Sequence, residues 1–168
     1  MAAEVPAVRV ALHRSATVSA SADELWDLIT DWAGMSRWRL TADDGGVRGP
    51  TLASCELVGA PHELPRTRRM LFDNGGVVEE RLFHQDDGVR RIYYTKSDSS
   101  GSTGYLATTY VDAIDVNTCA VHIASWFDVR AGADPLTAAV WYEGVYDAMF
   151  RGFQRYFAEH GTARGRPR

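Results

Sequence analysis

At 168 residues and 18.6 kDa the chain is long enough for one domain with a real core, burying roughly 70% of the surface its unfolded form exposes. Its 45% hydrophobic and 24% charged content are those of an ordinary globular protein. A net charge of −4 supplies no pull toward nucleic acid or an anionic membrane surface, and no run of about 18 apolar residues is present to span a bilayer.

In chain order, the start "MAAEVPAVRV" lacks the basic region and long apolar run of a signal peptide, so a cytoplasmic location is expected. "VRVALHRSATVSAS", Val-rich and loosely alternating, reads as a first strand. Ser21 followed by Glu24 is a capping box, which opens a helix in "SADELWDLITDW" with Leu25, Trp26, Leu28 and Ile29 at helical spacing. "AGMSRW" predicts a broken second turn or short helix, and "DDGGVRGP" a loop. From Thr51 to Val129 the stretches "TLASCELV", "RTRRMLF", "VVEERLFH", "VRRIYYTK", "TGYLATTYVDAI" and "CAVHIASWFDVR" read as strands. Their separators "GAPHELP", "DNGG", "QDDG", "SDSSGS" and "DVNT" have the composition and length of hairpin turns, which makes an antiparallel meander.

Asp134 as a cap and Pro135 in the first helical position open a closing helix that runs to Gly161, about 37 Å at ~1.5 Å per residue. Val145, Met149, Phe153 and Tyr156 form its stripe, flanked by Tyr142, Tyr146, Phe150 and Phe157. A face that wide requires the whole sheet as its partner. Residues 1–160 are expected to form a single domain and 161–168, "GTARGRPR", a flexible basic tail. Cys55 and Cys119 are expected to be reduced thiols, since a disulfide would need their strands to be neighbours. The fold class is therefore α+β: a seven-stranded antiparallel curved sheet around a long C-terminal helix, with two short helices after the first strand. A helix resting in so curved a sheet leaves an internal cavity fit for a small ligand.

That order resembles the START/polyketide cyclase-like superfamily, which includes the pollen allergens and is also called SRPBCC or helix-grip. "SADELWDLITDWAGMSRW" is similar to the family's first helix and its paired tryptophans, here Trp32 and Trp38. "ELVGAPHELPRTRRM", a glycine turn and then "VVEERL" look like its arginine strand and Glu-Arg-Leu strand. "AVHIASWFDV" with "VYDAMFRGFQRYF" resembles its last strand and closing helix, so the likeness covers about residues 8 to 158. It implies the helix-grip fold and a cavity, but no single activity, because members include cyclases, receptors, carriers and partner-binding proteins. Where relatives often carry a Leu-Pro gating loop after the fifth strand, this chain has "SDSSGSTG", a polar loop.

Side chains alternate across a strand, so register decides what faces the helix. The resemblance places Glu80 inward, with His84 following on the same side. The matching inward sets are Arg68 and Met70; Ile92, Tyr94 and Lys96; Tyr105, Ala107, Thr109 and Val111; and Val121, Ile123, Ser125 and Phe127. Unpaired, such buried polar groups would cost several kcal/mol, and a ligand-sized cavity relieves that cost. Two readings stand side by side at several positions. Glu80 and Arg68 are either catalytic or a structural ion pair between strands. His84 is either an inward base or a surface histidine beside its turn, and Lys96 snorkels to the rim. Trp126 and His122 fall on the outer face, as a partner contact or simply exposed.

Two functions follow. The first is an enzyme of secondary metabolism that cyclises, dehydrates or rearranges a polyketide-like or aromatic intermediate by acid–base chemistry. Glu80 or His84 would serve as base, with Tyr94, Tyr105 and Arg68 as donors. Tyr105, Thr109, Ile123, Ser125, Phe127, Tyr142, Tyr146 and Met149 would line the ligand. An apolar cavity raises a carboxylate's pKa, which suits a general base. The second is a carrier or sensor of a hydrophobic small molecule without chemistry. Neither calls for a metal or cofactor: the five histidines show no ligand spacing, and no nucleotide or hydrolase signature occurs. The partner expected is a hydrophobic or aromatic small molecule, not nucleic acid or membrane, bound by a monomer or homodimer.

Overall fold

The computed structural model describes residues 7–39, 50–99 and 101–161. Its elements are β1 (Val8–Val18), α1 (Ala22–Thr30), a 3₁₀ turn (Gly34–Arg37), β2 (Leu52–Val58), β3 (Arg66–Phe72), β4 (Val77–Asp86), β5 (Arg91–Lys96), β6 (Ser102–Ala113), β7 (Cys119–Val129) and α2 (Pro135–His160). The strands form one antiparallel sheet in the order β1-β7-β6-β5-β4-β3-β2. Hairpins join β2 through β7 in sequence, and β1 returns to pair with β7 from Val8↔Val129 to Val18↔Cys119. The second predicted helix is a single 3₁₀ turn. The loop predicted at 43–50 lies outside the described residues except for Pro50, and so does the tail beyond Gly161.

Local chemistry places both helices where the sequence indicates. The Ser21 hydroxyl accepts from the Glu24 N–H at 3.3 Å, while Glu24 Oε2 accepts from the Ser21 N–H at 3.1 Å. Asp134 accepts from the Thr137 N–H at 2.7 Å, and Gly161 ends α2 with a φ of 66°. None of the described helices is long and apolar enough to cross a membrane. Both cysteines are free.

The rotation of α2 differs from the expected stripe. Tyr142, Tyr146, Phe150, Phe153 and Phe157 are buried, whereas Val145, Met149 and Tyr156 are only partly covered. Arg14 of β1 holds Asp147 at 2.8 Å, and Gln154 Nε2 donates to the Thr17 carbonyl at 2.8 Å. These contacts tie one flank of α2 to β1, while Tyr146 meets Ser125 of β7 and Gly152 packs on Trp38, and together they accompany the turn of the Tyr/Phe row into the sheet.

Trp38 follows the 3₁₀ turn and stacks on Phe153 with centroids 4.5 Å apart. Its carbonyl oxygen comes so close to Gly152 that an added Cβ there would stand 2.2 Å from it. Gly152→Ala is expected to destabilise the protein by about 1–3 kcal/mol through overpacking, outweighing the ~1 kcal/mol helix-propensity gain. Urea unfolding of the variant checks this; a more stable protein would show that the contact yields freely.

Candidate functional site

The curved sheet turns a continuous set of side chains toward α2. Arg68, Met70, Leu82, Ile92, Tyr94, Tyr105, Ala107, Thr109, Ile123, Ser125 and Phe127 are all buried there, and Glu80 is nearly so. The inward register that the resemblance implies for these alternating strands therefore holds on β3, β5, β6 and β7. It holds on β4 only as far as Leu82. A bulge between Leu82 and His84 inserts Phe83, so that His84 pairs with Tyr93 and Gln85 with Ile92. His84 is consequently exposed on the outer face, its ring edge-on to Tyr93 at 5.7 Å, and Gln85 takes the inward place. His84 is thus corrected from an inward base candidate to an outer-face residue.

Glu80 and Arg68 are directly opposed across β4 and β3, and their side chains form an ion pair through Nε at 2.6 Å and through Nη2. Arg68 is 3% exposed. Trp32 lies over it, its ring centroid 3.8 Å from the guanidinium carbon, and gives its carbonyl to Arg68 Nη1 at 3.4 Å. Trp32 also donates Nε1–H to the Glu80 carbonyl at 3.3 Å and meets Tyr94 edge-on at 5.3 Å. The tryptophan just past α1 therefore roofs the ion pair. No pattern of polar residues marks it as part of the site; its spacing to Trp38 is the one sequence signal.

A second group of hydroxyls lies beside this pair. Tyr146 on α2 meets the Ser125 hydroxyl at 2.6 Å and the Tyr105 hydroxyl at 2.9 Å, and Tyr142 meets Ser102 at 2.7 Å. Tyr105 stacks on Tyr142 and Phe127. Burial, reinforced by the Glu80 charge, pushes the Tyr94 phenol up to about 12, against the opposing influence of Thr109. Burial and the neighbouring phenols push Tyr105 well above the ordinary range, and burial with Tyr94 does the same to Tyr146. All three are neutral hydrogen-bond donors at neutral pH. The polar interior expected to need a hollow thus satisfies much of its demand internally, carboxylate to guanidinium and hydroxyl to hydroxyl.

The rim is cationic. Lys96 donates to the Ser97 carbonyl at 3.0 Å, with its ammonium 5.6 Å from the Tyr105 ring centroid and 5.8 Å from that of Tyr142. Arg39 lies over Phe72 and near both Glu80 and Arg68; burial lowers its guanidinium pKa. Of the remaining predicted lining residues, Thr109, Ile123 and Phe127 sit within the sheet face, and Met149 lies at the half-covered flank of α2. On the outer face, Trp126 is 39% exposed and His122 stacks between Tyr110 and His13. Among the described residues no three His, Cys, Asp or Glu side chains converge as metal ligands.

A long helix gripped by a seven-stranded antiparallel sheet, with a polar cluster on the gripped face, defines a helix-grip protein of the START/polyketide cyclase-like superfamily. The chain belongs to the family described as polyketide cyclase / dehydrase and lipid transport, matched over residues 9–158. A structure of an uncharacterized protein from Bacillus thuringiensis superposes with a TM-score of 0.73 at 21% identity, covering 89% of this chain and 99% of that one. A solution structure from Thermobifida fusca gives 0.66 at 28% identity, covering 88% and 93%. Norcoclaurine synthase from Thalictrum flavum, in complex with dopamine and hydroxybenzaldehyde, gives 0.67 at 19% identity, covering 92% and 89%. No curated protein matches the sequence.

Proposed function

We propose that the protein binds a hydrophobic or aromatic small molecule against the gripped face of the sheet and acts on it by acid–base chemistry, as a cyclase or dehydratase of a polyketide-like or aromatic intermediate. One observation carries this reading: a carboxylate, Glu80, shares a single apolar face with three neutral phenols, Tyr94, Tyr105 and Tyr146. Removing a proton beside a carbonyl needs one base and donors for the oxyanion that develops, and these residue types supply both. Arg68 and Trp32 position Glu80. The family description and a structural neighbour crystallised with two small aromatic compounds support the ligand class.

The test begins with native mass spectrometry of protein purified from its producing cells, to identify a bound small molecule. With that compound or its precursor, Tyr94→Phe and Glu80→Gln are each expected to lower turnover by about 10²-fold or more while leaving binding within a few-fold. Unchanged turnover in both variants removes this site assignment. A second reading, a carrier without chemistry, is favoured by the internal pairing of Glu80 with Arg68 and of Tyr146 with Ser125. Release of the bound compound unaltered would select it.

A further inference from the structure

Trp32 also borders a cleft where the end of α1 meets the ends of β2, β3 and β4. It is open and about 620 Å³ in volume, within the size range of small-molecule sites. Trp32, Leu57, Pro61 and Leu64 contribute apolar wall, and His62 stands among the lining residues.

The residue that sets this cleft apart is Arg66. It lines the cleft yet is only 5% exposed. A buried guanidinium normally faces a carboxylate, because an uncompensated buried charge is costly. Among the described residues the hydrogen-bond partner of Arg66 is the neutral Gln85 carbonyl oxygen, at 2.6 Å from Nη2. Gln85 occupies this inward place because of the β4 bulge, and its amide in turn donates to Asp87 at 2.8 Å. The same Asp87 oxygen accepts from Trp26 Nε1 at 3.0 Å, so that carboxylate is engaged elsewhere and acts on Arg66 at longer range. Asp31, also at the cleft, is held by Arg37 at 2.5 Å. Burial accordingly depresses the Arg66 guanidinium, with the Asp87 charge opposing. A five-donor fork with one neutral partner, set in an open cleft whose wall is partly apolar, is complementary to an oxyanion attached to an apolar body.

We propose that this cleft is a binding site for a small organic anion, a carboxylate or phosphate monoester, with Arg66 as its charge anchor. Apart from Trp32, which borders both, it stands on different residues from the Glu80 cluster, and its charge anchor is Arg66 rather than Arg68, so each can fail without the other.

The probes are benzoate and phenyl phosphate, with benzyl alcohol as the neutral control, titrated at millimolar concentration into ¹⁵N-labelled full-length protein. Saturable shifts at Ala33, His62 and Gln85 and at the Arg66 Nε–H are expected with the two anions and not with the alcohol; the stronger anion identifies the carboxylate or phosphate source. Arg66→Gln should weaken anion binding at least tenfold. Because that variant removes a buried side chain, a charge-neutral swap, Gln85→Glu with Asp87→Asn, provides the second arm. It moves a carboxylate onto Arg66, keeps an acceptor for Trp26 and leaves the net charge unchanged, and it too should weaken both anions at least tenfold. Equal binding of benzyl alcohol, unchanged affinity in the swap, or shifts centred on Tyr94 and Tyr105 would each overturn the assignment.

Discussion

Glu80→Gln is expected to lower the unfolding free energy by about 3–4 kcal/mol, a large share of the ~5–15 kcal/mol that holds a domain folded. Arg68 is 3% exposed and packed beneath Trp32, so it cannot turn to solvent when its carboxylate is removed. Glutamine keeps an acceptor for the guanidinium but leaves the charge buried and uncompensated. Removing both partners, as Glu80→Leu with Arg68→Met, should recover most of the loss, because an apolar pair of similar volume carries no desolvation cost. Recovery stays incomplete, since the guanidinium over Trp32 is lost as well. Urea denaturation of Glu80→Leu, Arg68→Met and the double variant yields the coupling energy. Single variants as stable as the parent would mean that the pair is hydrated and Arg68 is free to reorient.

Above about pH 10 the folded state should lose stability steeply. In the unfolded chain tyrosines ionise near their ordinary value of 10.0, whereas burial holds the Tyr94 proton to about 12 and raises Tyr105 and Tyr146 above their ordinary value as well. The unfolded state then binds fewer protons than the native one, so unfolding free energy falls as pH rises. The contribution of these three phenols is fully present below pH 10 and falls as pH rises above it, that of Tyr94 being lost through about pH 12. Each retained proton corresponds to a slope of about 1.4 kcal/mol per pH unit, so three give about 4 kcal/mol per unit. Urea midpoints at pH 9, 10 and 11, with phenolate absorbance at 295 nm as the titration signal, measure both quantities. Tyr94→Phe should remove about a third of the slope. A flat midpoint from pH 9 to 11 would show these phenols to be hydrated.

Among the described residues the outer face offers no comparable cluster of buried titratable groups. Tyr110, His122 and His13 stack across β6, β7 and β1, with Arg91 over Tyr110 at 4.4 Å. Burial lowers the His122 pKa, with Arg91 and His13 acting in the same direction and Asp112 against them. The row is legible as outward from alternation, but its stacking is not, because the partners come from strands far apart in sequence.

Local signals carried the architecture. The Ser21–Glu24 box, Asp134-Pro135, the hairpin turns and period-two alternation each act within a few residues, and such short-range chemistry is written directly in sequence. Alternation sorted each strand into two faces and the family resemblance named the inner one; together they gave the inward places of Arg68, Glu80, Tyr94, Tyr105, Thr109, Ser125 and Phe127, because on an unbroken strand side-chain direction follows from geometry. Alternation failed at His84, where a one-residue bulge reverses the faces and no residue type announces it. The rotation of α2 is illegible for a related reason: its aromatic face is broad enough to suit two rotations, and long-range contacts such as Tyr146–Ser125, Gly152–Trp38 and Arg14–Asp147 choose between them. Pairing was likewise a tertiary matter. Whether Glu80 is an unsatisfied base or an ion-pair partner, and whether Arg66 meets a carboxylate or an amide, depends on ångström-scale approach of side chains 12 and 19 positions apart. Spacing determines which groups share a face and the family resemblance which face is inward; three-dimensional packing alone decides which of them are already answered by a neighbour and which remain open to a ligand.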